Sequence, residues 1–121
     1  MNAYERQADK TIFNFLYGKL NGKSVQVEAL GKKYDCTMKV QQYNSNSAPA
    51  LKLLLPGNEL YAIATVNMEQ TPPIKCMWMN VCTANTSLRQ PLLDTELFED
   101  TGKRAIVGNS ECELWRVIWE G

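Results

Sequence analysis

Few side chains in this sequence are of a type and spacing that could do chemistry. Glu111 and Glu113 stand two apart, so on a strand they would share a face, and Glu99 and Asp100 are adjacent. Hydrolysis by a carboxylate pair needs a defined separation and two unequal pKa values. Spacing alone supplies neither, and these four read as solvated acids. Histidine is absent, which removes the side chain that titrates nearest neutrality and the commonest metal ligand. The Ser-His and Cys-His nucleophile pairs go with it. Cys36, Cys76, Cys82 and Cys112 include no CxxC pair. Neither a zinc ribbon nor a thioredoxin-like motif is in view, and reduced, buried thiols are expected. The four aspartates, Asp9, Asp35, Asp94 and Asp100, are dispersed, which leaves no cluster for magnesium. The seven glycines are isolated and form neither a dinucleotide fingerprint nor a P-loop. No catalytic residue, metal or cofactor is expected, and the chain reads as a binder rather than an enzyme.

Binding chemistry is better represented. Three tryptophans, Trp78, Trp115 and Trp119, are heavy usage for 121 residues. Trp78 lies in the soft run Met77-Trp78-Met79, followed by Asn80. Such a stretch can stack a flat ring between apolar faces while an amide reads its edge; packing in a core or a dimer interface is the other use. If phosphate is bound, Arg or Lys side chains must hold it. Arg104 follows Thr101-Gly102-Lys103, where a turn would present its planar fork; an ordinary surface arginine is the alternative. Thirteen basic and thirteen acidic residues give zero net charge, against the cationic surplus that duplex binding requires. No nucleic-acid partner is expected. The sequence shows neither the apolar core of a signal peptide near Met1 nor a run of membrane-spanning length, so no membrane partner and a cytoplasmic location are expected.

The elements that would hold these residues follow from periodicity. Tyr4, Ala8, Ile12, Phe15, Leu16 and Leu20 recur at helical spacing and predict an amphipathic helix from Asn2 to Leu20, stopped by Asn21-Gly22. The period then becomes two-fold. Val25, Val27 and Ala29, a turn at Gly31-Lys32-Lys33, and Tyr34, Cys36, Met38 and Val40 predict a hairpin. Ala50–Leu55 is a third strand. Leu60–Asn67 is a continuous apolar run that suits a strand buried on both sides, and Ile74–Cys82 is another strand. Leu92, Leu93 and Leu97 predict a short helix over Pro91–Phe98, capped by Thr86 or Ser87 and ended by Thr101-Gly102. A weak strand over residues 103–108 and a terminal one over Cys112–Trp119 complete a single α+β domain spanning residues 1–121. Its antiparallel sheet is built of consecutive hairpins with segregated helices.

Several of these pieces recur together in a known pattern. Gly31-Lys32-Lys33-Tyr34, Ala50-Leu51-Lys52-Leu53, Tyr61-Ala62-Ile63-Ala64-Thr65-Val66-Asn67, the leucine-bearing helix and Thr101-Gly102-Lys103-Arg104 follow in order across roughly residues 23–118. The chain resembles small phage- and plasmid-borne domains, among them the phage anti-Thoeris proteins. These are counter-defence sponges that sequester, without cleaving, the cyclic ADP-ribose isomers made by bacterial TIR-domain enzymes. The resemblance implies a small cyclic nucleotide as partner, a homodimer or higher homo-oligomer with the pocket at its interface, and a location in the host cytoplasm. Within that pocket Trp78 would stack the base, Asn85 would hydrogen-bond it and Arg104 would fork a phosphate. The alternative function is a protein-binding inhibitor of the anti-CRISPR or immunity-protein kind.

Overall fold

The computed structural model describes residues 14–43, 48–68, 72, 73, 75–81 and 86–118. It is α+β. Strands β1 (Ser24–Ala29), β2 (Lys32–Gln42), β3 (Pro49–Leu55) and β4 (Glu59–Ile63) form one antiparallel sheet in that order; β5 (Cys76–Met79), β6 (Phe98–Val107) and β7 (Ser110–Val117) form a second, in the order β5-β7-β6. Residues 14–20 are helical (α1), and Leu16 and Leu20 turn inward. Residues 2–13 of the expected helix lie outside the described residues. Gly22, at φ +84°, ends α1 as expected.

Two-fold alternation builds the first sheet. Val25 and Val27 of β1, and Cys36, Met38 and Val40 of β2, are buried, while Ser24, Gln26, Glu28, Thr37 and Lys39 face water. The first hairpin turns one residue earlier than expected. Leu30 and Gly31 both take positive φ, 52° and 77°, the geometry of a two-residue turn matched to strand twist. Lys32 and Lys33 thereby join β2.

Burial of Leu60–Asn67 on both sides does not hold. β4 ends at Ile63, pairs along its length with β3 only, and leaves Leu60 50% and Ile63 41% exposed. A register shift between Leu53 and Leu54 lets the chain leave this sheet after Ile63. Residues 64–66 then form a seam to the second sheet: Asn80 N–H donates to the Ala64 carbonyl at 2.8 Å, Val66 N–H to that of Trp78 at 3.0 Å, and Thr65 bridges Met79. Thr65 is buried, and its Oγ1 accepts the Leu51 N–H at 3.0 Å. A single apolar core joins α1, both sheets and Leu88 and Leu92, with Trp115 fully buried against Phe98, their rings 5.6 Å apart.

The late helix is shorter and earlier than its leucines imply. A 3-10 turn (Thr86–Leu88) leads into α2 (Arg89–Asp94), and no side chain caps it. Pro91 falls in the first turn, where a missing N–H costs nothing. Glu96, at φ +63°, turns the chain out of the helix, and Phe98 opens β6 opposite Val117. The weak strand at 103–108 is thus the second half of a ten-residue one, and Thr101-Gly102 is an irregularity inside β6 rather than a helix stop.

Candidate functional site

Trp78 and Arg104 share a sheet but not a face. Antiparallel partners point the same way. Trp78 lies opposite Leu114 and Arg104 opposite Glu113. Residues 113 and 114 are neighbours on β7, so the two side chains diverge and cannot close on one small ligand. Asn85 lies outside the described residues, as do Trp119 and Cys82. Cys36, Cys76 and Cys112 are buried and unbridged, and burial raises each thiol's pKa.

Arg104 is committed to carboxylates. Its Nη1 and Nη2 donate to Asp100 Oδ1 and Oδ2 at 2.9 and 2.8 Å. Residues 100 and 104 share a face of β6, and the irregularity between them shortens their separation, since they stand opposite Trp115 and Glu113, only two residues apart on β7. Arg89, at the start of α2, donates from Nη2 to Asp100 at 3.0 Å and from Nε to Glu113 at 2.9 and 3.2 Å. The Trp115 indole N–H completes the set, donating to Glu113 Oε1 at 3.0 Å. The expectation of solvated acids therefore fails at Glu113, which is 1% exposed, because an arginine and an indole replace its water. Arg104's hydrogen bonds, opposed by burial and helped by the Gly102 N–H, lower Asp100 from its ordinary 3.8 to about 2. With Glu111 3.7 Å from Arg104, two guanidinium groups face three carboxylates. The cluster has no surplus positive charge to offer a phosphate. It ties α2 to β6 and β7.

A different site lies on the outer face of the first sheet, where a groove of about 490 Å³ opens to solvent. That volume is in the range of small-ligand sites. Its floor is Thr37 and Lys39 of β2 with Lys52 and Leu54 of β3; Tyr17 and Asn21 at the end of α1 form one wall, Asn58 and Leu60 the other. Among the described residues, no acidic side chain lines it. Lys39 and Lys52 are direct partners in the β2–β3 register, as are Thr37 and Leu54. Their Cβ atoms thus stand about 4.5–5.5 Å apart, an arrangement that like charges disfavour. Among the described residues, neither lysine has a carboxylate partner within 4.0 Å.

The helix end is fixed to this sheet by one side-chain and one backbone hydrogen bond. Asn21 Oδ1 accepts the Val40 N–H at 3.0 Å, and Gly22 N–H donates to the Met38 carbonyl at 2.8 Å. Asn21 keeps its amide NH₂ as a donor. The opposite wall is set by the turn at residues 56–58, with Gly57 and Asn58 at φ 87° and 65°. Sequence reasoning missed this site. The signal was present as Lys39 on the wet side of its strand, but pairing it with Lys52 requires the register across residues 43–48.

Among the described residues no three metal-binding side chains converge, and no helix is long and apolar enough to cross a membrane. No family model matches the chain, and no curated protein or solved structure is significantly similar to it.

Proposed function

We propose that this chain is a non-catalytic binding protein for a small nucleotide, and that it seats the ligand in the groove over β2 and β3. The observation that carries the reading is the directly opposed pair Lys39–Lys52 in a groove that no acid lines among the described residues. A sheet keeps two like charges face to face at some cost in stability, and an anionic ligand converts that cost into affinity. Tyr17 and Leu60 offer apolar surface for a base, and Asn21 and Asn58 offer amides for its edge. On this reading the protein acts stoichiometrically, withholding the nucleotide from its receptor, as the resemblance to counter-defence sponges implies. The site differs from that resemblance, since Trp78 and Arg104 point to opposite faces.

Calorimetric titration with adenosine mono- and diphosphates and cyclic ADP-ribose isomers tests the reading. Saturable binding is expected, with the nucleotide recovered intact after denaturation. Turnover of the nucleotide, or silence across the panel, would sink the proposal. A second reading, a protein-binding inhibitor, draws on the exposed Leu60 and Ile63 beside the groove. A stoichiometric protein partner captured without any nucleotide signal would favour it.

A further inference from the structure

The paired lysines also select among anions. We infer that the groove is a seat for a phosphomonoester dianion, a terminal phosphate carrying two negative charges, in preference to a phosphodiester carrying one. The inference rests on the groove being the ligand site.

Lys39 and Lys52 project from adjacent strands at directly opposed positions, so a compact group between them meets both ammonium groups at once. A singly charged diester leaves one positive charge of the pair uncompensated. A terminal phosphate balances both and presents three oxygens rather than two. The surroundings supply matching donors. The Thr37 hydroxyl is on the same face of β2, two residues from Lys39, and the Asn21 amide stands at the wall. The nearest acid along that face of β2 is Asp35, whose Oδ1 accepts the Gln26 amide N–H at 3.0 Å, and which does not line the groove. Among the described residues, the charged or titratable groups facing the ligand are therefore Lys39 from β2, Lys52 from β3 and the Tyr17 phenol from α1. A second ligand charge facing two cations in a water-like dielectric corresponds to roughly tenfold in affinity.

This preference has a pH signature of its own. A phosphomonoester dianion takes up one proton near pH 6 and becomes a monoanion. Adenosine 5′-monophosphate and adenosine 3′,5′-cyclic monophosphate share a base and differ in the charge of the phosphate, so they make the comparison directly. By calorimetry at pH 7.5, the 5′-monophosphate is expected to bind about tenfold tighter than the cyclic ester. At pH 5 that advantage should shrink toward parity, because the monoester becomes a monoanion. The double variant Lys39→Gln, Lys52→Gln should lose the preference at pH 7.5. Its melting temperature should equal or exceed that of the parent, since the substitution removes a repulsion, and this separates loss of binding from loss of fold. Equal affinity for the two esters, or a preference unchanged between pH 7.5 and pH 5, overturns the inference while leaving nucleotide binding in place. Binding of neither ester overturns both.

Discussion

Glu113 and Asp100 show how one side chain's partners decide what it can do. Both looked like solvated acids, and neither is. Glu113 is enclosed by Arg89 and the Trp115 indole, and Asp100 by Arg89, Arg104 and the Gly102 N–H. Nothing in the local sequence could show this, because Arg89 comes from 24 residues before Glu113 and reaches it through the packing of α2. The same contacts explain why Arg104 is no phosphate fork. They also set a pH dependence whose sign is fixed. Asp100's carboxyl is held at about 2 in the fold, below its unfolded value near 3.9. It therefore contributes stability above about pH 4, and that contribution is lost as pH falls toward 2, by roughly 2 kcal/mol in all. In urea unfolding followed at pH 5 and pH 2, the Asp100→Asn variant should lose less stability across that interval than the parent. Parallel losses in the two proteins would contradict the pairing.

Elements were more legible than contacts. The two-fold alternation of Val25, Val27, Cys36, Met38 and Val40 marks the first hairpin in sequence as it stands in the fold. Pro56-Gly57-Asn58 marks the second turn for the same physical reason, a need for positive φ. Failures came where tertiary packing overrode local pattern. Leu60–Asn67 reads as a strand buried on both sides, yet the chain leaves the first sheet after Ile63 to make the seam at 64–66. Leu97 extends the apolar stripe of Leu92 and Leu93 and carries the expected helix to Phe98, yet Phe98 packs against Trp115 as a strand residue. Thr101-Gly102 reads as the stop of the late helix, yet it is an irregularity inside β6. Gly102 sits there at φ +87° with open space where a Cβ would go, so a side chain meets backbone strain and no clash. Gly102→Ala should cost about 1 kcal/mol, a drop of roughly 4–8 °C in Tm. An unchanged Tm would show that β6 tolerates another path between Asp100 and Arg104.

Across the molecule, zero net charge conceals an uneven distribution. The second sheet neutralises its arginines internally, while the first holds two lysines opposite one another in a groove that no acid lines among the described residues. Composition disfavours duplex binding and, with no histidine, excludes histidine chemistry, but it could not show where the cations stand, because register, not residue count, places Lys39 against Lys52. Backbone amide NMR on the labelled chain, titrated with adenosine 5′-monophosphate, asks which sheet takes the ligand. Shifts that saturate and concentrate on Asn21, Thr37, Lys39 and Lys52 are the predicted result. Shifts centred instead on Trp78 or Arg104 of the second sheet, or no shifts at all, would contradict the assignment of the groove as the binding site.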